Sequence, residues 1–190
     1  MTNLYLVRHG ETDWNREGKY TGQSDIPLNE TGRRQALRAA EKLREYDPQI
    51  IYSSDLMRAY ETAQIISRAV SAPVITDRRL REINQGEWEG MHVDEIKDKF
   101  NRLFHAREKD PFNVSSPQGE TMGEVYQRVN EALKKILADH PHDKVVITAH
   151  GVVLAIIRLM AAHEPIDRVF EYIPENAVIH HIQMRKFNDQ

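Results

Sequence analysis

The chain has 190 residues, 40% hydrophobic and 29% charged, enough to bury a sizeable core as one domain over 1–190. A formal net charge of -3 and the lack of any long Lys/Arg run exclude nucleic acid as the expected partner, so an acidic ligand would need a focused basic site. The absence of cysteine excludes disulfides and thiolate nucleophiles or metal ligands, and the longest apolar run, Val152 to Ile157 continuing to Ala162, is too short to span a bilayer.

Leu4, Tyr5, Leu6 and Val7 read as a strand buried on both faces, running into Arg8, His9 and Gly10. Because that strand begins almost at Met1, it leaves no room for a secretion signal, and a cytoplasmic protein is expected. Residues 10 to 30, with Gly10, Gly18, Gly22 and Pro27 among polar residues, read as a long loop over one end of the sheet. Asn29 caps a helix from about Thr31 to Tyr46 with its stripe at Ala36, Leu37, Ala40 and Leu43, and Asp47-Pro48 ends it.

Ile50, Ile51 and Tyr52 form a second strand, followed by Ser53, Ser54, Asp55 and a helix from about Leu56 that buries Ala59, Ala63, Ile66 and Val70. Arg58 then lies in the first helical turn, where a cation is disfavoured unless an anion binds there. Pro73 to Thr76 is a third strand candidate, and Asp77 to Glu89 a dense polar segment. Residues 91 to 118 read as a small, partly helical cap, with Ile96, Phe100, Leu103 and Phe104 on one face and breaks at Pro111 and Pro117. That stripe is expected to be packing, and Arg102, His105, Arg107 and Lys109 to be a solvated face, with selection of an anionic substrate as their alternative role.

A capping box at Thr121 and Glu124 opens a helix striped by Met122, Val125, Val129, Leu133 and Ile136, which ends near His140-Pro141. Lys144 to Thr148 is a fourth strand that terminates at Ala149-His150-Gly151, and Val152 to Ala162 is apolar nearly all round, a helix buried under the sheet. Ala177 to Met184 is the last strand. Alternating strands and helices predict a three-layer α/β/α sandwich with a mostly parallel sheet, whose ligands bind beyond the carboxyl ends of the strands. Arg8, His9, Arg58 and His150 would then converge on one spot. Two guanidiniums and two imidazoles suit phosphoryl transfer without a metal or other cofactor: forked donors hold phosphate oxygens, and a neutral imidazole anchored at one nitrogen attacks with the other.

Four segments in order, LVRHGETDWN at 6–15, SSDLMRAYETA at 53–63, LREINQGEWEG at 80–90 and VVITAHGVV at 145–153, resemble the histidine phosphatase superfamily, its branch related to cofactor-dependent phosphoglycerate mutase. The resemblance implies His9 as the phosphorylated nucleophile and Glu82 as proton donor. It also implies Arg8, Arg58, His150 and, as a lesser ligand, Asn15 as phosphate-binding groups. The acid-bearing motif and the length resemble the phosphatases, whereas Thr21-Gly22, taken as substrate-binding, is a pair more similar to the mutases. Gly119, Glu120 and Thr121 resemble a loop near the phosphatase active site. The expected activity is hydrolysis of small phosphorylated metabolites by a monomer or homodimer; a mutase and a catalytically silent phospholigand-binding module are the alternatives.

Overall fold

The computed structural model describes residues 1–185. Five strands, β1 (Thr2–Arg8), β2 (Ile50–Ser53), β3 (Val74–Thr76), β4 (Lys144–Ala149) and β5 (Ile179–Met184), form one sheet in the order β3-β2-β4-β1-β5. The pairings β1 with β4, β2 with β4 and β2 with β3 are parallel; β5 alone runs antiparallel, against β1.

Alternation along β1 builds the layers, because successive side chains leave a strand on opposite faces. Tyr5 and Val7 join a core with Ala39, Ala40 and Leu43 of α2 (Glu30–Leu43) and Ala63 and Ile66 of α3 (Met57–Val70). Leu4 and Leu6 join the larger core, with Val129 and Leu133 of α5 (Met122–Asp139) and Leu154 and Ile157 of α6 (Gly151–Ala162). Leu4 and Leu6 have no exposed surface, and burying such side chains stabilises by about 1.5–3 kcal/mol each. The expected α/β/α sandwich is thus present, with α6 buried on nearly every side.

Several boundaries differ from the sequence expectation. Residues 10 to 30 are not wholly loop: a five-residue helix, α1 (Asp13–Glu17), is closed at its start by reciprocal bonds between Thr12 and Asn15 and at its end by left-handed Gly18, φ 73°. The α2 helix gives way to a 3₁₀ turn at Arg44–Tyr46, and Val70 at the end of α3 is only half-buried. The last strand starts at Ile179 because Ala177 takes a left-handed φ of 56° and sends its N–H to the Arg8 carbonyl. In α4 (Val93–Lys109), Phe100 leaves helical geometry at φ -125°, ψ 30°. Its Ile96 and Phe104 pack with Trp88 in a third cluster, separate from both sheet cores. No helix among the described residues is long and apolar enough to cross a membrane.

Candidate active site

The carboxyl ends of β1, β2 and β4 lie side by side, so Arg8 and His9, Ser53 and Ser54, and His150 leave the sheet at one edge. Ladder-type bonds continue past the strands, from His9 N–H to the Ala149 carbonyl at 3.0 Å and from Ser54 N–H to the Thr148 carbonyl at 3.0 Å. The His9 and His150 rings meet with centroids 5.2 Å apart and tilted by 58°. Both residues are buried.

The His9 ring is oriented by its own neighbour: Nδ1 lies 2.7 Å from the Gly10 carbonyl, which can only accept. Nδ1 therefore carries the proton and Nε2 keeps its lone pair free. Burial first, then the positive charges of Arg58 and Arg8, push the imidazole pKa well below its usual range, so the ring is neutral at neutral pH. The backbone around it is held from afar, with Asn176 Nδ2 donating to the His9 carbonyl at 2.8 Å and Gly10 N–H donating to Thr62 Oγ1 at 3.2 Å.

His150 Nε2 lies 2.8 Å from Ser54 Oγ. That oxygen accepts from Leu56 N–H and can donate its own proton to Nε2; in that tautomer the ring proton is on Nδ1. Nδ1 is buried and has no partner among the described residues. The same is true of Nε of Arg8 and Nε of Arg58. Three buried donors without acceptors at one sheet edge are what a bound oxyanion would satisfy.

Arg58 does not pair with Glu61 or Asp55 at the surface. It is buried, with Nη1 donating to the Ser24 carbonyl and Nη2 to the Gly22 carbonyl, each at 2.7 Å, while Arg33 takes Glu61 and Arg81 takes Asp55. Desolvation pulls the Arg58 guanidinium down to about 10, and the Glu82 charge acts against that fall. Arg8 is lowered for the same reasons, and donates Nη1 to the Pro174 carbonyl at 2.9 Å. Arg81 points away from the site, clasping Asp55 through two bonds of 2.7 and 2.6 Å.

Glu82 sits where the polar segment meets α6. One carboxylate oxygen accepts from its neighbour Ile83 N–H at 3.0 Å and the other from Val152 N–H at 3.3 Å. A methyl added at Gly151 would lie 3.6 Å from both the Arg8 guanidinium carbon and a Glu82 carboxylate oxygen, which places those two charges against the same helix start.

A pocket of about 140 Å³ opens over this edge, lined by Arg8, His9, Asn15, Thr21, Gly22 and Glu82, with Lys19, Ile83, Gln85 and Val152. Arg58 and His150 are buried and do not line it. Asn15 spends its carbonyl oxygen on Thr12 N–H, leaving the amide NH2 as the group it can offer a ligand. Gly22 has a left-handed φ of 53°, and a side chain there would collide with the Glu89 carboxylate. Its structural task is to present its carbonyl to Arg58.

Several residues of this region were not singled out from the sequence. Glu89 accepts from Gln23 N–H, Gln85 N–H and Ser24 Oγ, and so fixes the turn whose carbonyls hold Arg58. Arg128, on α5, donates to the Arg79, Arg81 and Glu82 carbonyls and pairs with Glu120, which also accepts from Asn84 N–H. Glu120 was marked only through its loop, and Thr121 next to it caps α5 as expected. Arg107 is not on a solvated face: it is half-buried, over the Trp88 ring at 5.0 Å. Among the described residues no group of three or more His, Cys, Asp or Glu side chains is placed to hold a metal ion.

A model of the histidine phosphatase superfamily, branch 1, matches residues 4–188. Phosphoserine phosphatase 1 of Hydrogenobacter thermophilus is 38% identical over 152 residues, covering 80% of this chain and 72% of its own. A probable phosphoglycerate mutase GpmB of Escherichia coli is 38% identical over 154 residues, covering 81% and 72%. The structure of a mycobacterial glucosyl-3-phosphoglycerate phosphatase with VO3 superposes with a TM-score of 0.84 at 31% identity, over 94% of this chain and 90% of that one.

Proposed function

Since this chain belongs to the histidine phosphatase superfamily, we propose that it hydrolyses small phosphomonoesters through a phosphohistidine formed on His9. The observation that carries this is the state of His9: neutral, anchored at Nδ1, with a free Nε2 beside buried donors that lack acceptors. Arg8, Arg58, His150 and Asn15 bind the phosphate, Thr21 and Gly22 border the substrate, and residues 91 to 118 act as a cap. The names of a phosphoserine phosphatase and a glucosyl-3-phosphoglycerate phosphatase among the relatives support hydrolysis.

In the first step His9 Nε2 bonds to phosphorus as the bond from phosphorus to the ester oxygen breaks, and Glu82 gives its proton to the departing alkoxide. The guanidiniums and His150 Nδ1–H stabilise charge on the equatorial oxygens from fixed positions, so little reorganisation is needed. In the second step water attacks the phosphohistidine, Glu82 takes the water proton, and inorganic phosphate leaves with His9 restored.

Replacing His9 with Ala should abolish hydrolysis of an aryl phosphate and the trapping of an acid-labile phosphoenzyme. Undiminished turnover without the intermediate would reject the mechanism. Losing Arg58 should cost about 3 kcal/mol of transition-state stabilisation, roughly a hundredfold in rate. A mutase reading is favoured by the GpmB relative and by Thr21-Gly22 in the pocket wall. Incubation with 3-phosphoglycerate and a bisphosphorylated primer separates the two: release of phosphate supports the phosphatase, and net isomer formation the mutase.

A further inference from the structure

Beside the phosphate pocket lies a larger cleft, about 380 Å³, walled by Tyr20, Trp88, Phe104 and Phe170, with Gln85 and Arg107 as polar members. That volume is at the small end of the range for ligand sites. The two hollows share Gln85, and Tyr20 is flanked in the chain by Lys19 and Thr21 of the phosphate pocket. We propose that this cleft is the leaving-group subsite, and that it takes an alcohol with a flat apolar body bearing a carboxylate, which Arg107 recognises. This rests on the phosphatase reading and adds a substrate class to it.

The apolar half of the inference comes from the walls. Trp88 is buried among Tyr20, Phe100 and Phe104, with ring centroids 6.1, 6.3 and 5.8 Å away, an aromatic cluster along the cleft. Phe170, across the cleft, is 61% exposed, a large apolar side chain that a bound flat group would cover.

The anionic half comes from Arg107. Its guanidinium lies over the Trp88 ring and makes a 2.6 Å bond to the neutral Gln85 amide oxygen, with no carboxylate in ion-pair range among the described residues. Glu108, also at the cleft, is engaged by His105 at 2.8 Å. Burial lowers the Arg107 pKa, as expected for a half-buried cation without a partner. A planar carboxylate matches one guanidinium fork. A second dianionic phosphate would meet one cation only, next to the negative Glu108.

The test measures binding of methylphosphonate, benzylphosphonate and its meta- and para-carboxy derivatives by titration calorimetry, so that it does not depend on turnover. Benzylphosphonate should bind about tenfold tighter than methylphosphonate, and at least one carboxy derivative roughly fivefold tighter again. Arg107→Gln should bring the ratio of carboxybenzyl to benzyl affinity to about one, while Phe170→Ala, at an exposed position, should shrink the ratio of benzyl to methyl. Equal affinity of the benzyl and methyl compounds, or an Arg107→Gln loss shared evenly by all ligands, would overturn the subsite. If the affinity order holds but glycerol 2-phosphate and aryl phosphates are not hydrolysed, the subsite stands and the phosphatase reading falls.

Discussion

Lowering the pH from 7.5 to 5.5 should destabilise the ligand-free protein through His9 and His150, by at most about 2.7 kcal/mol. In the unfolded chain both imidazoles titrate near 6.5, whereas in the folded one burial and the neighbouring guanidiniums hold both well below that value. The unfolded state therefore binds more protons across this window, so stability rises with pH: it is fully present above about 6.5 and is lost as the pH falls. Each ring contributes at most about 1.4 kcal/mol over the two pH units, the value for a ring that stays neutral in the folded state throughout. Urea midpoints measured from pH 5.5 to 8 on the wild type and on His9→Gln/His150→Gln give the difference directly, since the double variant lacks both linkages. In thermal unfolding the same loss is roughly 5–10 °C for a chain of this size. Identical pH slopes for the two proteins, within about 0.5 kcal/mol, would refute the assignment of buried neutral rings.

Arg128→Met should lower kcat more than it raises KM and cost about 2–4 kcal/mol of stability, because it strips three carbonyls and Glu120 of their partner; kinetics and urea unfolding report both. An Arg128 variant with wild-type kcat would mean that the Glu82 segment holds itself. Gly10→Ala should destabilise by about 2–3 kcal/mol, since its new methyl would be driven into the Gly32 backbone carbonyl, and a lowered urea midpoint is the check. Inorganic phosphate at a hundred times its Kd should stabilise the protein by about 2.7 kcal/mol, a gain that Arg58→Met should largely remove in thermal scans.

The three-layer architecture was legible because the signals were strong and local: apolar runs for β1 and β4, a capping box before α5, and an all-apolar α6. The convergence of His9, Glu82 and His150 followed from strand ends and from motif order. The supports of the site were not legible. Arg128 acts through a long side chain that crosses from α5 to three carbonyls, and no spacing encodes that reach. Arg107 was misplaced for a different reason. Eleven residues after Ile96, about three turns, Arg107 shares the apolar stripe of α4 and so reaches Trp88; its charge, not its spacing, suggested solvent. In α1 the pairing of Thr12 with Asn15 is a reciprocal cap too short, at five residues, to show any apolar period.

The position of β1 in the sheet has a consequence for how the molecule is made. The strand nearest the start of the chain lies between β4 and β5, both drawn from the last third, and the His9 carbonyl is held by Asn176, 167 residues away. Closing a loop of some 140 residues costs about 4 kcal/mol of chain entropy beyond the constant term before any ladder bond forms. The α2 and α3 helices can meet early, but the nucleophile strand gains its partners only when the far end of the chain arrives, the condition of a high-contact-order, slow folding step. Refolding should accordingly show helical signal first and phosphate binding last, with catalytic competence marking completion of the sheet.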